Sequence, residues 1–268
     1  MSDKHLLESA DNGVVTLTMN RPESLNALSP SMMAALTETV PRLATDAECK
    51  VVVLTGAGRG FCAGGDVKGM ASRADATGPA PSMEERAHGL REGMEVSRIL
   101  HEMPKPTIAM MRGPAAGAGL SLALACDMRI VSESARFTTA FAKVGFSGDY
   151  GSSYFLPQLV GAAKAKELFF TADVIEADEA LRLGIVNRIV ADDQLESETR
   201  AFADQLAGGP TVAYRYIKKN LNAALAGSSI GDVFDLEAWN MTRTGQTDDH
   251  KEAAKAFVEK RKPTFSGR

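Results

Sequence analysis

Apolar and polar positions alternate along the first half of the chain in a way that predicts strands and helices in turn. Residues 14–19 form an alternating apolar run, the mark of a strand. Residues 30–43 carry apolar side chains at helical spacing, with Ser29 placed to cap them. Residues 50–54 are a short valine-rich run, as expected of a strand covered on both faces. Residues 84–103 read as one long amphipathic helix, and 107–111 and 128–131 as two more apolar strands. Such strand-helix-strand alternation predicts parallel pairing with right-handed crossovers. The last strand is expected at 186–190, and helical patterns follow at 192–207, 211–225, 232–243 and 248–261. We therefore expect an α/β core over residues 1–190 and a helical C-terminal region over 191–268. Residues 70–81, rich in small residues and proline, predict a loop.

Composition narrows the function. The chain has 268 residues, 44% apolar and 24% charged, which suits a globular protein and excludes a disordered or fibrous one. Lys and Arg number 30 against 34 Asp and Glu, so the net charge of −4 argues against a nucleic-acid binder, which needs a basic footprint. Cys49, Cys62 and Cys126 are odd in number and lack metal-ligand spacing. They predict reduced thiols, a cytoplasmic location and no bound metal. The first residues lack a basic flank before a long apolar run, so neither a signal peptide nor a membrane span is expected.

Two glycine-rich segments stand out. Thr55 to Asp66 follows the valine strand, and Arg112 to Ser121 follows the strand at 107–111. Both fall at the C-terminal ends of strands, the edge where ligands sit in open α/β folds. Small residues let backbone N–H groups approach a ligand, and two such loops can direct two donors at one oxygen. Either segment alone is equally a tight strand-to-helix turn; the pair is harder to dismiss. A dinucleotide loop is a rival reading, because Thr55-Gly56-Ala57-Gly58-Arg59-Gly60 and the Tyr214…Lys218 pair mimic a short-chain dehydrogenase. Against it, Cys62 replaces the last glycine, the loop follows a middle strand, and no serine precedes Tyr214 at the required distance.

Five motifs in order resemble the crotonase (enoyl-CoA hydratase/isomerase) superfamily: Asn20-Arg21-Pro22 with Asn26-Ala27-Leu28, Gly60-Phe61-Cys62-Ala63-Gly64-Gly65-Asp66, Pro104-Lys105-Pro106, Ala116-Gly117-Ala118-Gly119 with Cys126-Asp127, and the segment from Ala256 to Pro263. The resemblance spans nearly the whole chain. It implies a spiral of β-β-α units, acyl-CoA thioester substrates, no cofactor beyond the coenzyme A of the substrate, and a homotrimer or dimer of trimers. It also implies that the N–H groups of Gly65 and Ala118 form an oxyanion hole, each donor lowering the barrier by about 3–4 kcal/mol. Leu25, Ala27 and Ala63 match positions lining the CoA path. Phe257 and Lys260 match last-helix residues that complete a neighbouring subunit's CoA pocket, although a plain surface helix explains them too. Asp66 suits a loop anchor better than a catalyst.

The reaction turns on carboxylates. Hydratases of this superfamily use two glutamates, and those positions read here as Ser121 and Phe141, neither of which transfers a proton as a carboxyl group does. A carboxylate stands instead at Asp149, in a stretch from Ala140 to Pro157 that resembles the single-aspartate isomerases of phenylacetate degradation. One aspartate suits a double-bond shift. The same position carries a nucleophile in aryl-CoA dehalogenases, which pair it with a tryptophan where this chain has Phe141. Read from the residues alone, Asp149 is better explained as a helix cap than as a catalyst; the resemblance reverses that order. The expected activity is therefore enoyl-CoA isomerisation, with atypical hydration, hydrolysis, dehalogenation or non-catalytic CoA-ester binding as alternatives.

Other polar residues rank lower. His88 and His101 fall on the helix at 84–103 without an assigned role, and Glu84 and Glu85 suit its N-terminal dipole. Lys68 and Arg73 read as solvated surface near a possible phosphate path. Met32, Met33, Met110 and Met111 read as core. The C-terminal helices carry Val233, Phe234, Leu236, Trp239 and Phe257, an apolar set that predicts burial against another copy of the chain.

Overall fold

The computed structural model describes residues 4–66, 69 and 81–268. The expected loop at 70–81, with Lys68 and Arg73, lies outside the described residues except for Pro81. The chain begins with a hairpin of β1 (Leu6–Asp11) and β2 (Val14–Met19), then α1 (Pro30–Thr45) and β3 (Val51–Gly56). Ser29 caps α1 by accepting a hydrogen bond from the Met32 N–H. Next come α2 (Met83–Gly93), α3 (Glu95–Glu102), β4 (Thr107–Met111), β5 (Pro114–Ala116) and α4 (Ala118–Ala125). Then follow β6 (Met128–Ser132), β7 (Arg136–Thr138), α5 (Ser152–Val160), α6 (Ala162–Thr171), β8 (Ile175–Glu176), α7 (Ala177–Arg182) and β9 (Arg188–Val190). The C-terminal part holds α8 (Leu195–Ala207), α9 (Thr211–Leu225), α10 (Ile230–Thr244) and α11 (Asp248–Glu259).

The single helix expected over 84–103 is two, broken after Gly93, a residue of low helix propensity. Its start is set by a capping box: Ser82 accepts from the Glu85 N–H, and the Glu85 carboxylate accepts from the Ser82 N–H. That settles Glu85 as a cap.

Strand order explains where a site can form. Among the described residues a six-stranded sheet runs β1-β2-β3-β4-β6-β9, parallel throughout except for the β1-β2 hairpin. A second sheet runs β5-β7-β8 and is extended by a bridge between Cys62 and Ala115. Successive units therefore place one strand in the large sheet and the next in the small one: β3 then Cys62, β4 then β5, β6 then β7. This is a β-β-α spiral, and the small sheet pairs Cys62 with Ala115 and Ala115 with Phe137.

One face of the large sheet packs Leu17, Val52, Leu54 and Ala109 with Leu36 of α1, Leu100 of α3 and Leu122 of α4. On the other face Val51, Val53, Ile108 and Ile130 meet Leu195, Ala203 and Ala207 of α8. Helix α8, which follows the expected boundary near residue 190, thus covers the sheet. Met32, Met110 and Met111 are buried, as expected. Helix α9 is tied to the core by Lys218, whose Nζ donates to Asp127 Oδ2 (2.8 Å) and to the carbonyls of Leu100 and Lys105. Among the described residues no helix is long and apolar enough to cross a membrane.

Helix α4 is buried on every side. Its C-terminal carbonyls are satisfied by Arg129, which donates to Cys126 O (2.7 Å) and more weakly to Ala123 O and Leu124 O, while Nε donates to Ile185 O. This guanidinium is only 4% exposed, and burial pushes its pKa down. The carbonyl end of α4 is the partner that keeps the charge buried. Arg129→Met should therefore destabilise the protein by about 2–4 kcal/mol through unpaired carbonyls, read as a lower denaturation midpoint at unchanged m-value.

Candidate active site

The site forms where three turns follow the small sheet in register. Three residues after Cys62 comes Gly65, three after Ala115 comes Ala118, and four after Phe137 comes Phe141. The Cys62 carbonyl accepts from the Ala116 N–H (2.9 Å), and the Thr138 carbonyl from the Gly117 N–H (3.1 Å). These bonds hold the three turns side by side.

The first two approach so closely that side chains are excluded. A Cβ on Gly119 would stand 2.4 Å from the Cys62 carbonyl oxygen and 2.7 Å from its Sγ. A Cβ on Gly64 would stand 2.6 Å from the Ala116 oxygen and 3.4 Å from the Ala118 nitrogen, and Gly64 has φ +90°. Ala118 opens α4, so its N–H has no partner within the helix. The Gly65 N–H donates to no backbone carbonyl among the described residues; its neighbours pair instead, the Leu28 N–H donating to Gly64 O. Two backbone donors on adjoining turns, one at a helix N-terminus, suit an anionic or polarised oxygen.

A third segment braces the first loop. Asn26 is fully buried: its Nδ2 donates to Ala57 O and Gly60 O, and its Oδ1 accepts from the Arg21 N–H. Leu25 O accepts from the Ala63 N–H (2.9 Å), and Arg21 Nη1 donates to Ala27 O (2.8 Å). Leu25, Ala27 and Ala63, the expected CoA-path residues, are thereby gathered on one ladder with Gly64 and Gly65. Asp66 accepts from Arg21 and from the Gly69 N–H, which makes it an anchor. Sequence reasoning noted Asn26 as a motif residue but not as this clamp; a buried asparagine with φ +57° is visible only in the fold.

The two glutamate positions are closed to proton transfer. Ser121 is buried, and its Oγ donates back to Gly117 O (3.1 Å). The Phe141 ring lies 3.7 Å from where a Cβ on Gly117 would stand and stacks on Phe169 at 6.2 Å. Asp149 is not a helix cap, correcting that alternative: Gly151 occupies the N-cap of α5, and only the Asp149 backbone carbonyl is used, by Ser152. Its Oδ1 is buried with no hydrogen-bond partner among the described residues, and burial pushes the carboxyl up to about 6. Helix α5, three residues on, packs against α4. The neighbouring Tyr150 phenol is pushed up to about 12, first by burial and then by the negative potential of Asp149 and Cys62.

Phe257 and Lys260 stand apart. Phe257 is 86% exposed on α11, and Lys260 ends that helix in a left-handed conformation. The hydrogen bonds and close contacts that gather Leu25, Ala27, Ala63, Gly65 and Ala118 involve neither residue.

The chain belongs to the enoyl-CoA hydratase/isomerase family, matching it over residues 9–268. It is similar to a 1,2-epoxyphenylacetyl-CoA isomerase of Escherichia coli (strain K12), 36% identical over 98% of each chain. It is also similar to a crotonyl-CoA hydratase of Syntrophomonas wolfei, 33% identical over 99% of each. A crystal structure of an enoyl-CoA hydratase from Bacillus anthracis superposes with a TM-score of 0.90 at 30% identity, covering 98% of this chain and 100% of that one.

The backbone approach can be tested directly. Gly64→Ala should lower stability by about 2–4 kcal/mol, from left-handed strain plus the clash with Ala116 O, read by thermal or chemical melting. A variant as stable as the parent would show that the two turns are not in contact.

Proposed function

We propose that this protein is an acyl-CoA isomerase that moves a double bond with one carboxylate, Asp149, while Gly65 and Ala118 hold the thioester oxygen. Family membership supports the acyl-CoA substrate. Relatives named as isomerase and as hydratase stand at similar identity, so the choice between them rests on residues. The observation that carries it is Asp149: half-buried, with a buried Oδ1 that has no hydrogen-bond partner among the described residues, and with its pKa raised into the range of a working base.

In this reading Asp149 takes a proton from C2 of a 3-enoyl-CoA. The electron pair moves onto the carbonyl oxygen, and the two N–H donors stabilise the resulting dienolate. The same carboxyl group returns the proton at C4, giving the 2-enoyl-CoA with no atom gained or lost. Hydration needs a second group to activate water, and Ser121 and Phe141 supply none. The exposed Phe234, Trp239 and Phe257 support assembly into a trimer or a dimer of trimers, in which Phe257 and Lys260 reach a neighbour's CoA pocket.

Two measurements on 3-enoyl-CoA test this. Asp149→Asn should cut isomerisation by about 100-fold to 10,000-fold with little change in CoA-ester affinity. The wild-type rate should rise about tenfold per pH unit below pH 6 and level off above it, because only the ionised carboxylate accepts the proton. Rapid crotonyl-CoA hydration that survives Asp149→Asn would overturn the reading.

A further inference from the structure

Asp149 raises a question of orientation. A base must be held within a few tenths of an ångström of the proton it removes, and hydrogen bonds to its carboxylate usually do this. Here Oδ1 has no such bond among the described residues. The surrounding backbone is unusual. Gly148 has φ +117°, Tyr150 φ +48° and Gly151 φ +83°. Glycine takes such values freely, whereas a bulky aromatic residue in the left-handed region is strained and must be held there by its surroundings.

The surroundings are visible. The Tyr150 side chain is buried within the main core cluster and only 7% exposed. Its hydroxyl oxygen reaches Gly93, the last residue of α2, and stands 2.9 Å from where a Cβ at that position would be. The Met33 Cε of α1 lies 3.7 Å from the same point. The phenol end therefore rests in a seat that exists because residue 93 has no side chain. Gly93 has ordinary helical backbone, so nothing in its own conformation demands glycine.

We infer that Tyr150 is a positioning residue for Asp149 and that Gly93 is the seat that admits its ring. Ring and carboxylate stand on consecutive residues of one strained turn, so a displaced ring carries the carboxylate with it. The inference rests on Asp149 being the base.

Four variants test it with 3-enoyl-CoA as substrate. Gly93→Ala adds a methyl against the phenol oxygen. It should lower kcat by about 10-fold or more while KM for the CoA ester changes less than threefold, because the CoA-path residues are untouched. Tyr150→Phe keeps the ring and should lower kcat less than tenfold. The double variant Gly93→Ala/Tyr150→Phe, in which the oxygen that meets the new methyl is gone, should recover most of the activity lost in Gly93→Ala. A helix effect at residue 93 would not be rescued from another element. Alanine at a helical position with ordinary φ favours folding, so an unfolded Gly93→Ala is not expected; circular dichroism checks this. If Gly93→Ala keeps full kcat, or loses it without rescue, while Asp149→Asn abolishes turnover, the positioning role is wrong and the base assignment stands. If Asp149→Asn keeps full isomerase activity, both fall.

Discussion

Everything at this site depends on two stretches of backbone lying closer together than side chains allow. The turn after Cys62 and the turn after Ala115 meet at Gly64 and Gly119, where any added carbon would strike a carbonyl or a thiol. The closeness is fixed by the small sheet, whose register sets Cys62 beside Ala115. It is reinforced on one side by the buried Asn26 clamp and on the other by α4, with Arg129 satisfying its far end. The fold thus brings the turns that carry Gly65 and Ala118 together, and in the proposed role the side chains at those two residues need only be small. On the proposed reading, this is why an alanine can stand at one of the two donor positions.

The acid-base chemistry is set by a different term. At Asp149 desolvation dominates, with no neighbouring cation among the described residues to offset it, and burial pushes the carboxyl up to about 6. Asp66, close in sequence to Gly65, shows the opposite environment, paired with Arg21 and a backbone N–H. Two carboxylates of one chain thus sit in different environments, one braced by a cation and a backbone N–H, the other, on the proposed reading, the base. Ser121 bonded back to its helix and Phe141 stacked on Phe169 fill the remaining places with groups that cannot move a proton.

Much of this was readable in the sequence, for physical reasons. The buried parallel strands β3, β4 and β6 are continuous apolar runs, and α9 matches its expected bounds of 211–225 because Pro210 and the following Gly227 punctuate it. The glycine loops were legible because glycine at a strand end has few other uses. The hairpin partner β1 was missed, although Asn12-Gly13 is a strong signal for such a turn; its polar edge-strand residues show no clean alternation. The small sheet was invisible, because three-residue strands such as β5 and β7 are too short to show a period. The roles of Asn26, Tyr150 and Gly93 depend on contacts between segments far apart in the chain, which no local pattern encodes. The helix-cap alternative for Asp149 failed because Gly151, in a left-handed conformation, took the cap position instead.

The most direct test of the central claim is the infrared carbonyl stretch of a bound, unreactive saturated acyl-CoA carrying carbon-13 at the thioester carbonyl. Two N–H donors from Gly65 and Ala118 polarise that bond, so the account predicts a stretch at lower frequency than in water, with part of the shift lost in Gly65→Pro, which lacks the donor. A bound carbonyl absorbing at its aqueous frequency, or a shift unchanged in Gly65→Pro, would contradict it.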